Sequence, residues 1–281
     1  MLEIPCGKED AAKIAADALA RGAVGAVTSW GSGMGHRDTV RLYWDGTTPS
    51  LAEIMGDEFS SAEDLAEEDW GEHWRETLRP FRAGSRFLLT PSWETPDNHA
   101  AEWTLFIDPG MAFGAGDHPT TRLCVAALEN ISEGDLKGSP LLDLGAGTGV
   151  LALAAARLGF GPVDALDIDP FCHASIGRNI RLNRLDGRVT QHLLSLDLYK
   201  TSHRLAVANV APNQLLGAAP LLAERLLPGG LLVLSGFQSD WENRIMDAYG
   251  DDFRLLFRLD EGEWLALGLE RLWSYGRNAN G

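Results

Sequence analysis

Apolar residues recur along this chain with two periods. From Pro119 onward, short apolar runs alternate with longer segments of Ala/Leu periodicity, the pattern of strands alternating with helices. The runs Leu141–Leu144, Val163–Leu166, Val189–Leu193, Leu205–Val210 and Leu231–Ser235 predict strands. Between them Pro119–Glu129, Val150–Leu158, Pro170–Asn183, Gln214–Leu226 and Asp240–Tyr249 predict helices. Phe253–Leu259 and Trp264–Leu269, separated by Asp260-Glu261-Gly262-Glu263, predict a closing hairpin. Such alternation predicts an α/β fold: a mostly parallel, doubly wound sheet of seven strands, covered by helices on both faces, with an antiparallel edge.

The first part of the chain reads differently. Residues 1–56 predict a small α+β module of strands Leu2–Pro5, Ala23–Ser29 and Thr39–Trp44 with helices Lys8–Arg21 and Leu51–Met55. The tract Trp30-Gly31-Ser32-Gly33-Met34-Gly35 reads as a hairpin connection. Residues 57–100 read as a linker containing an acidic helix over Ser61–Leu78, with Trp70 and Trp74 on one face. Its later part carries a strand over Phe87–Trp93, and Trp103–Ile107 predicts another strand as the second domain, 101–281, begins. Residues after Trp273 read as a loose tail.

The informative motif is Leu142-Asp143-Leu144-Gly145-Ala146-Gly147-Thr148-Gly149, followed at Ala165-Leu166-Asp167-Ile168-Asp169 by a second apolar run ending on acid. Strand, glycine turn, helix, strand and acid make one nucleotide-binding βαβ half. Glycine lacks Cβ, so the turn bends sharply and its backbone approaches a ligand closely. The dinucleotide fingerprint places its third glycine one residue later, to seat a pyrophosphate. The tighter G-x-G-x-G spacing, led by Asp143, instead resembles that of methyltransferases using S-adenosylmethionine. Asp167 is placed to accept the two ribose hydroxyls, against the alternative of an ordinary turn acid, while Asp169 before Pro170 suits a helix N-cap. The glycine-rich stretch Asp108–Thr121 reads as a functional loop leading into a helix. Thr121, in that helix's first turn, is placed to meet a carboxylate, against the alternative that it only helps start the helix. Phe113 is a candidate contact to cofactor or substrate methylenes, or an ordinary core ring.

Composition narrows the function classes. With 40 acidic against 24 basic side chains, the net charge of −16 disfavours a nucleic-acid backbone and favours a basic partner. Acid concentrates between Asp57 and Glu76, where Arg75 is the one base; a solvated face and a docking patch are both open. Cys6, Cys124 and Cys172 have neither disulfide nor metal-knuckle spacing and read as buried thiols, and no metal site is legible. No long uncharged apolar run or signal-like start is present, so a cytoplasmic protein without membrane association is expected.

The loop Asp108–Thr121, the block Leu142–Pro170 and the segment Val207-Ala208-Asn209-Val210 resemble the bacterial ribosomal protein L11 methyltransferases (PrmA type). Glu68-Asp69-Trp70 with Trp74, Leu227-Pro228-Gly229-Gly230, Ser235-Gly236 and Glu261-Gly262-Glu263-Trp264 extend the similarity. The resemblance implies a class I, S-adenosylmethionine-dependent methyltransferase domain behind a small ferredoxin-like domain that grips a large-subunit ribosomal protein. It implies methylation of lysine side chains and the N-terminal amine. Matched residue by residue, cofactor contacts fall on Thr121, Gly145, Asp167 and Asn209, with Gly147 in the same turn; Asn209 alternatively accepts a hydrogen bond from the incoming amine, and no catalytic residue is assigned. The chain departs from the family's usual loop at Ala115 and Asp117, where threonines stand, and has Val210-Ala211-Pro212 where Ile-Leu-Ala follows the asparagine. Two alternatives stay open: the same fold acting on another protein lysine or a small molecule, and a noncatalytic cofactor-binding module.

Overall fold

A computed structural model describes residues 79–95, 101–108 and 117–273, together with the backbone of three strands before them. The chain divides into two compact units, Met1–Glu76 and Thr77–Gly281. In the first, strands β1 (Leu2–Pro5), β2 (Gly25–Ser29) and β3 (Thr39–Tyr43) form an antiparallel sheet in the order β1-β3-β2. The helices expected at 8–21 and 51–55, the connection at 30–35, the acidic helix with Trp70 and Trp74, residues 109–116 with Phe113 and Ala115, and the tail after 273 lie outside the described residues.

The second unit opens with a three-stranded sheet of β4 (Phe81–Ala83), β5 (Phe87–Pro91) and β6 (Trp103–Ile107). β4 and β5 form an antiparallel hairpin, whereas β5 and β6 run parallel. The three residues of β4 are too few to show alternation in the sequence, and only pairing with β5 makes them a strand. β5 ends at Pro91, short of the expected Trp93.

The large sheet follows. Its strands are β7 (Leu141–Leu144), β8 (Val163–Asp167), β9 (Val189–Leu193), β10 (His203–Asn209), β11 (Leu226–Gln238), β12 (Phe253–Glu261) and β13 (Trp264–Arg271), in the order β12-β13-β11-β10-β7-β8-β9. Five neighbouring strands, β11 through β9 in that order, are parallel. β13 is antiparallel to both β11 and β12. The reversed strand therefore lies one place inside the edge, because the closing hairpin returns its second arm into the slot between β11 and β12.

The helices are α1 (Pro119–Ser132), α2 (Val150–Leu158), α3 (Pro170–Leu182), α4 (Pro212–Arg225) and α5 (Glu242–Tyr249). Alternate residues of each strand point to opposite faces, and the two faces carry separate cores. Leu141, Ala165, Val207 and Val233 pack with α1, α2 and α3. Leu142, Leu166, Ala208 and Leu234 pack with α4 and α5. Strands buried on both faces need near-continuous apolar sequence, and this is the physical origin of the short apolar runs.

Two buried asparagines one turn apart, Asn179 on α3 and Asn183 at its C-cap, tie the small sheet to the large one. Asn183 accepts from Phe106 N at 2.9 Å and donates to Phe106 O at 2.7 Å, as a neighbouring strand would. Asn179 accepts from Asp108 N at 2.8 Å and donates to Asp108 O and Thr148 O. These amides fix the start of the 108–121 loop against the glycine turn. Glu129 of α1 does the same for the β4–β5 turn, accepting from Ser85 N, Ser85 Oγ and Arg86 N. No described helix is long and apolar enough to cross a membrane.

Asn179→Ala removes three hydrogen bonds at a fully buried position and is expected to cost about 2–4 kcal/mol. Side-by-side urea unfolding checks this, the expected result being a lower midpoint at unchanged slope.

Candidate active site

β7 and β10 lie side by side while their following helices diverge, and the strand order reverses between them; such a switch point opens a crevice at the strands' carboxyl ends. A cavity of about 730 Å³ occupies it, within the ordinary range for small-molecule sites. Leu144 pairs with Ala208 on one side and Leu166 on the other, so the residues following them, Gly145, Asn209 and Asp167, emerge together.

The glycine turn is built by exclusion. Gly145 has φ +69°, and a Cβ there would lie 2.2 Å from Val210 Cγ1. On the other side of Val210, Gly236 has φ +96°, and its Cβ would meet the Val210 carbonyl oxygen at 2.2 Å. Both positions demand a left-handed backbone and tolerate no side chain. The Gly145 and Ala146 amides both donate to Leu166 O, at 2.9 and 3.0 Å, which ties the turn to β8.

α2 begins at Gly149, which has no side chain to cap it. Asp143, reaching from β7, supplies the missing acceptor: its Oδ2 accepts from Ala152 N at 2.9 Å. The carboxyl is 1% exposed and its Oδ1 has no hydrogen-bond partner among the described residues. Burial pushes Asp143 up to about 7, aided by the nearby charge of Asp167 and opposed by the Ala152 amide.

Asp167 is half-buried at the end of β8. Its Oδ2 accepts from Gly147 N at 2.8 Å and its Oδ1 from Asp169 N at 3.0 Å. Each oxygen has a second lone pair, so two acceptor sites remain while the side chain is held in one orientation. Asp169 caps α3 by accepting from Phe171 N at 2.8 Å. Across the cavity, Asn209 Nδ2 donates to Thr121 Oγ1 at 3.4 Å. Thr121, Gly145, Gly147, Asp167 and Asn209 thus all line one cavity, joined in pairs Gly147–Asp167 and Asn209–Thr121.

The same architecture recurs in known proteins. Residues 44–271 match the model of the family described as ribosomal protein L11 methyltransferase (PrmA). The chain belongs to the ribosomal protein L11 methyltransferase family. The family's protein from Trichlorobacter lovleyi is 39% identical over 213 residues, which is 74% of this chain and 70% of that one. That from Geotalea daltonii is 35% identical over 243 residues, 83% of this chain and 77% of that one. Among solved structures, the ribosomal protein L11 methylase of Lactobacillus delbrueckii subsp. bulgaricus superposes with a TM-score of 0.63 at 26% identity, covering 70% of this chain and all of that one. As a member of this family, the protein is a methyltransferase.

Several contacts around the site carry no signal in the sequence. His118 caps α1, its Nδ1 accepting from Thr120 N at 3.3 Å, and its ring meets Trp264 edge-on at 4.5 Å between centroids. Both residues line the cavity. Arg122 Nε donates to Glu261 Oε1 and Oε2 at 3.0 and 3.1 Å, so the closing hairpin is clamped to the first turn of α1. The hairpin motif Glu261-Gly262-Glu263-Trp264 is visible in the sequence, but not that its partner lies 139 residues earlier. Asp117, which stands at a family threonine position, is exposed, and its carbonyl accepts from Arg122. Cys124 and Cys172 are buried, as expected, and burial pushes the Cys124 thiol up.

Unfolded Asp143 releases its proton near the ordinary carboxylate value, whereas the folded carboxyl holds it to about 7. The contribution of this group to stability is therefore lost as pH rises from about 4 to 7. Asp143→Asn keeps the amide acceptor and removes the titration. The difference in unfolding free energy between variant and wild type is expected to move in the variant's favour by about 2–4 kcal/mol across that window. Parallel denaturant titrations at pH 4.5 and 7.5 check this; a pH-independent difference contradicts it. Gly145→Ala is expected to disturb Val210 and reduce cofactor affinity by at least about tenfold, measured by calorimetry with S-adenosylhomocysteine.

Proposed function

We propose that the protein transfers methyl groups from S-adenosylmethionine to amino groups of ribosomal protein L11, at lysine side chains and the N-terminal amine. The observation that carries this reading is the convergence of Thr121, Gly145, Gly147, Asp167 and Asn209, from four separate segments, on one switch-point cavity in a chain of this family. The cavity suits the cofactor. It has the volume, a backbone stripped of side chains at Gly145, and an oriented carboxylate with two free acceptor sites opposite a helix N-terminus.

In this reading Asp167 accepts the ribose hydroxyls, and its fixed orientation spares the entropy of ordering it on binding. The first turn of α1, with Thr121, faces the cofactor's carboxylate, since helix N-termini favour anions. Asn209 holds Thr121 in place and presents its amide to the cofactor or to the incoming amine. The bound cofactor supplies a methyl group already activated on a sulfonium. The protein's contribution is alignment of donor and acceptor and exclusion of water, which can lower a barrier by ~7–11 kcal/mol without a dedicated nucleophile.

Residues 1–56 are assigned to substrate recognition and methyl transfer to the unit that begins at Thr77. The net charge of −16 suits a basic protein substrate better than nucleic acid, and a ribosomal protein as substrate accords with a reaction in the cytoplasm.

Asp167→Ala is expected to weaken S-adenosylhomocysteine binding about 100-fold, the loss of two hydrogen bonds to a charged group. Calorimetry checks it, and unchanged affinity removes the ribose assignment. Incubation of the purified protein with S-adenosylmethionine and purified L11, followed by peptide mass mapping, tests the activity. Methyl groups on L11 amines are expected, whereas an unmodified L11 and a labelled different protein or small molecule in cell extract would overturn the choice of substrate.

A further inference from the structure

β8 carries a second carboxylate, Asp164, three residues before Asp167 and outside the cavity lining. Between them these residues hold both ends of the segment that follows β9. The carbonyl of Asp167 accepts from Leu194 N at 3.0 Å, where the segment begins. Asp164 Oδ2 accepts from the Tyr199 hydroxyl at 2.6 Å, where it ends. Within the segment, Ser195 O accepts from both Leu198 N and Tyr199 N at 3.1 Å, closing a single turn. Leu194, Ser195, Leu196 and Asp197, the part between the two anchors, form a wall of the cavity.

The Asp164 anchor has one geometry. Its Oδ1 faces His192 Nε2 of β9 at 2.8 Å, and its Oδ2 also faces His203 Nε2 of β10 at 3.0 Å. His203 is 1% exposed and its Nδ1 is buried without a partner among the described residues, which assigns the ring proton to Nε2, donating to Asp164. Burial alone would raise the Asp164 carboxyl, but hydrogen bonds from His203, Tyr199 and His192 hold it well below the usual carboxylate range. The Tyr199 carbonyl is held in turn by Arg225 Nε of α4. Three strands and a helix thus meet at the end of a segment whose other end is set by the backbone of Asp167.

We propose that Asp164, acting through the Tyr199 hydroxyl, is a positioning residue that fixes the Leu194–Asp197 wall and thereby sets affinity for the cofactor. This rests on the reading that the cavity holds S-adenosylmethionine. A rigid wall needs no ordering when the ligand arrives, so loosening its anchor raises the binding cost without touching the reacting groups. Cofactor affinity changes while turnover at saturation does not.

Tyr199→Phe keeps the ring in its buried place and removes the tether. It is expected to raise the Kd for S-adenosylhomocysteine and the KM for S-adenosylmethionine about tenfold, with kcat within about twofold of wild type. His192→Leu removes a different donor to Asp164 and leaves the Tyr199 and His203 bonds in place, so its Kd is expected to stay within about twofold of wild type. Both proteins are compared below their melting temperatures. A role in stability alone would lower the melting temperature of Tyr199→Phe and leave its Kd unchanged, which overturns the inference, as does a loss of kcat at unchanged Kd. Asp164→Asn, if it folds, is expected to match Tyr199→Phe. Wild-type protein that binds no S-adenosylhomocysteine overturns the cofactor reading and this inference together; wild-type binding with an unaltered Tyr199→Phe overturns this inference alone.

Discussion

Contact without room for a side chain, between Gly145, Val210 and Gly236, is the constraint on which the site depends. Val210 follows β10 and sits between the turn after β7 and the end of β11, with its Cγ1 against one glycine and its carbonyl against the other. Because the three strands are neighbours, this packing brings their carboxyl ends together. The crevice then exists because the helices following β7 and β10 leave on opposite faces of the sheet. A side chain at residue 145 or 236 would have to be accommodated by moving a strand end, and the cavity would change shape with it.

Around that constraint the protein places carboxylates where each does a different task. Asp143 is sealed beneath the turn, caps a helix that begins on glycine, and bears the cost of burial as a raised proton affinity. Asp167 lies at the surface of the cavity, held by two backbone amides and still able to accept from a ligand. Asp164 lies on the same strand as Asp167, accepts from three side chains, and stands outside the cavity lining. Identical functional groups on two neighbouring strands thus become a structural cap, an acceptor open to the cavity and an anchor, according to how many donors each one meets and how much water it keeps.

Much of the large domain was legible in the sequence because its strands are buried on both faces. Leu141–Leu144 is a short run of this kind, and its limits match the structure; Val189–Leu193, an edge strand with polar residues at its centre, also has the expected limits. Gly145, Gly147 and Asp167 were legible because the demands on them are local: positive φ in a turn and an acid at a strand's end. Asp169 as a cap was equally local. By contrast β11 extends over Leu226–Gln238, beyond the expected Leu231–Ser235, since Leu226 pairs with His203 across an irregular stretch that no alternation reveals. The strand Phe81–Ala83, the strand-mimicking amides of Asn179 and Asn183, and the Arg122–Glu261 clamp were invisible for the same reason. Each is a pairing between residues far apart in the chain, and neither member carries a mark of its partner.

The sequence by itself determined the alternation of strand and helix, the place of the glycine turn and the acid that answers it, because these follow from burial and backbone conformation over a few residues. Only the tertiary structure decided that Thr121 and Asn209, 88 residues apart, share a hydrogen bond, that the reversed strand β13 lies inside the edge, and that Asp164 and Tyr199 brace a cavity wall. Those arrangements depend on strand order and helix packing, which are set by the whole core at once rather than by any stretch of chain.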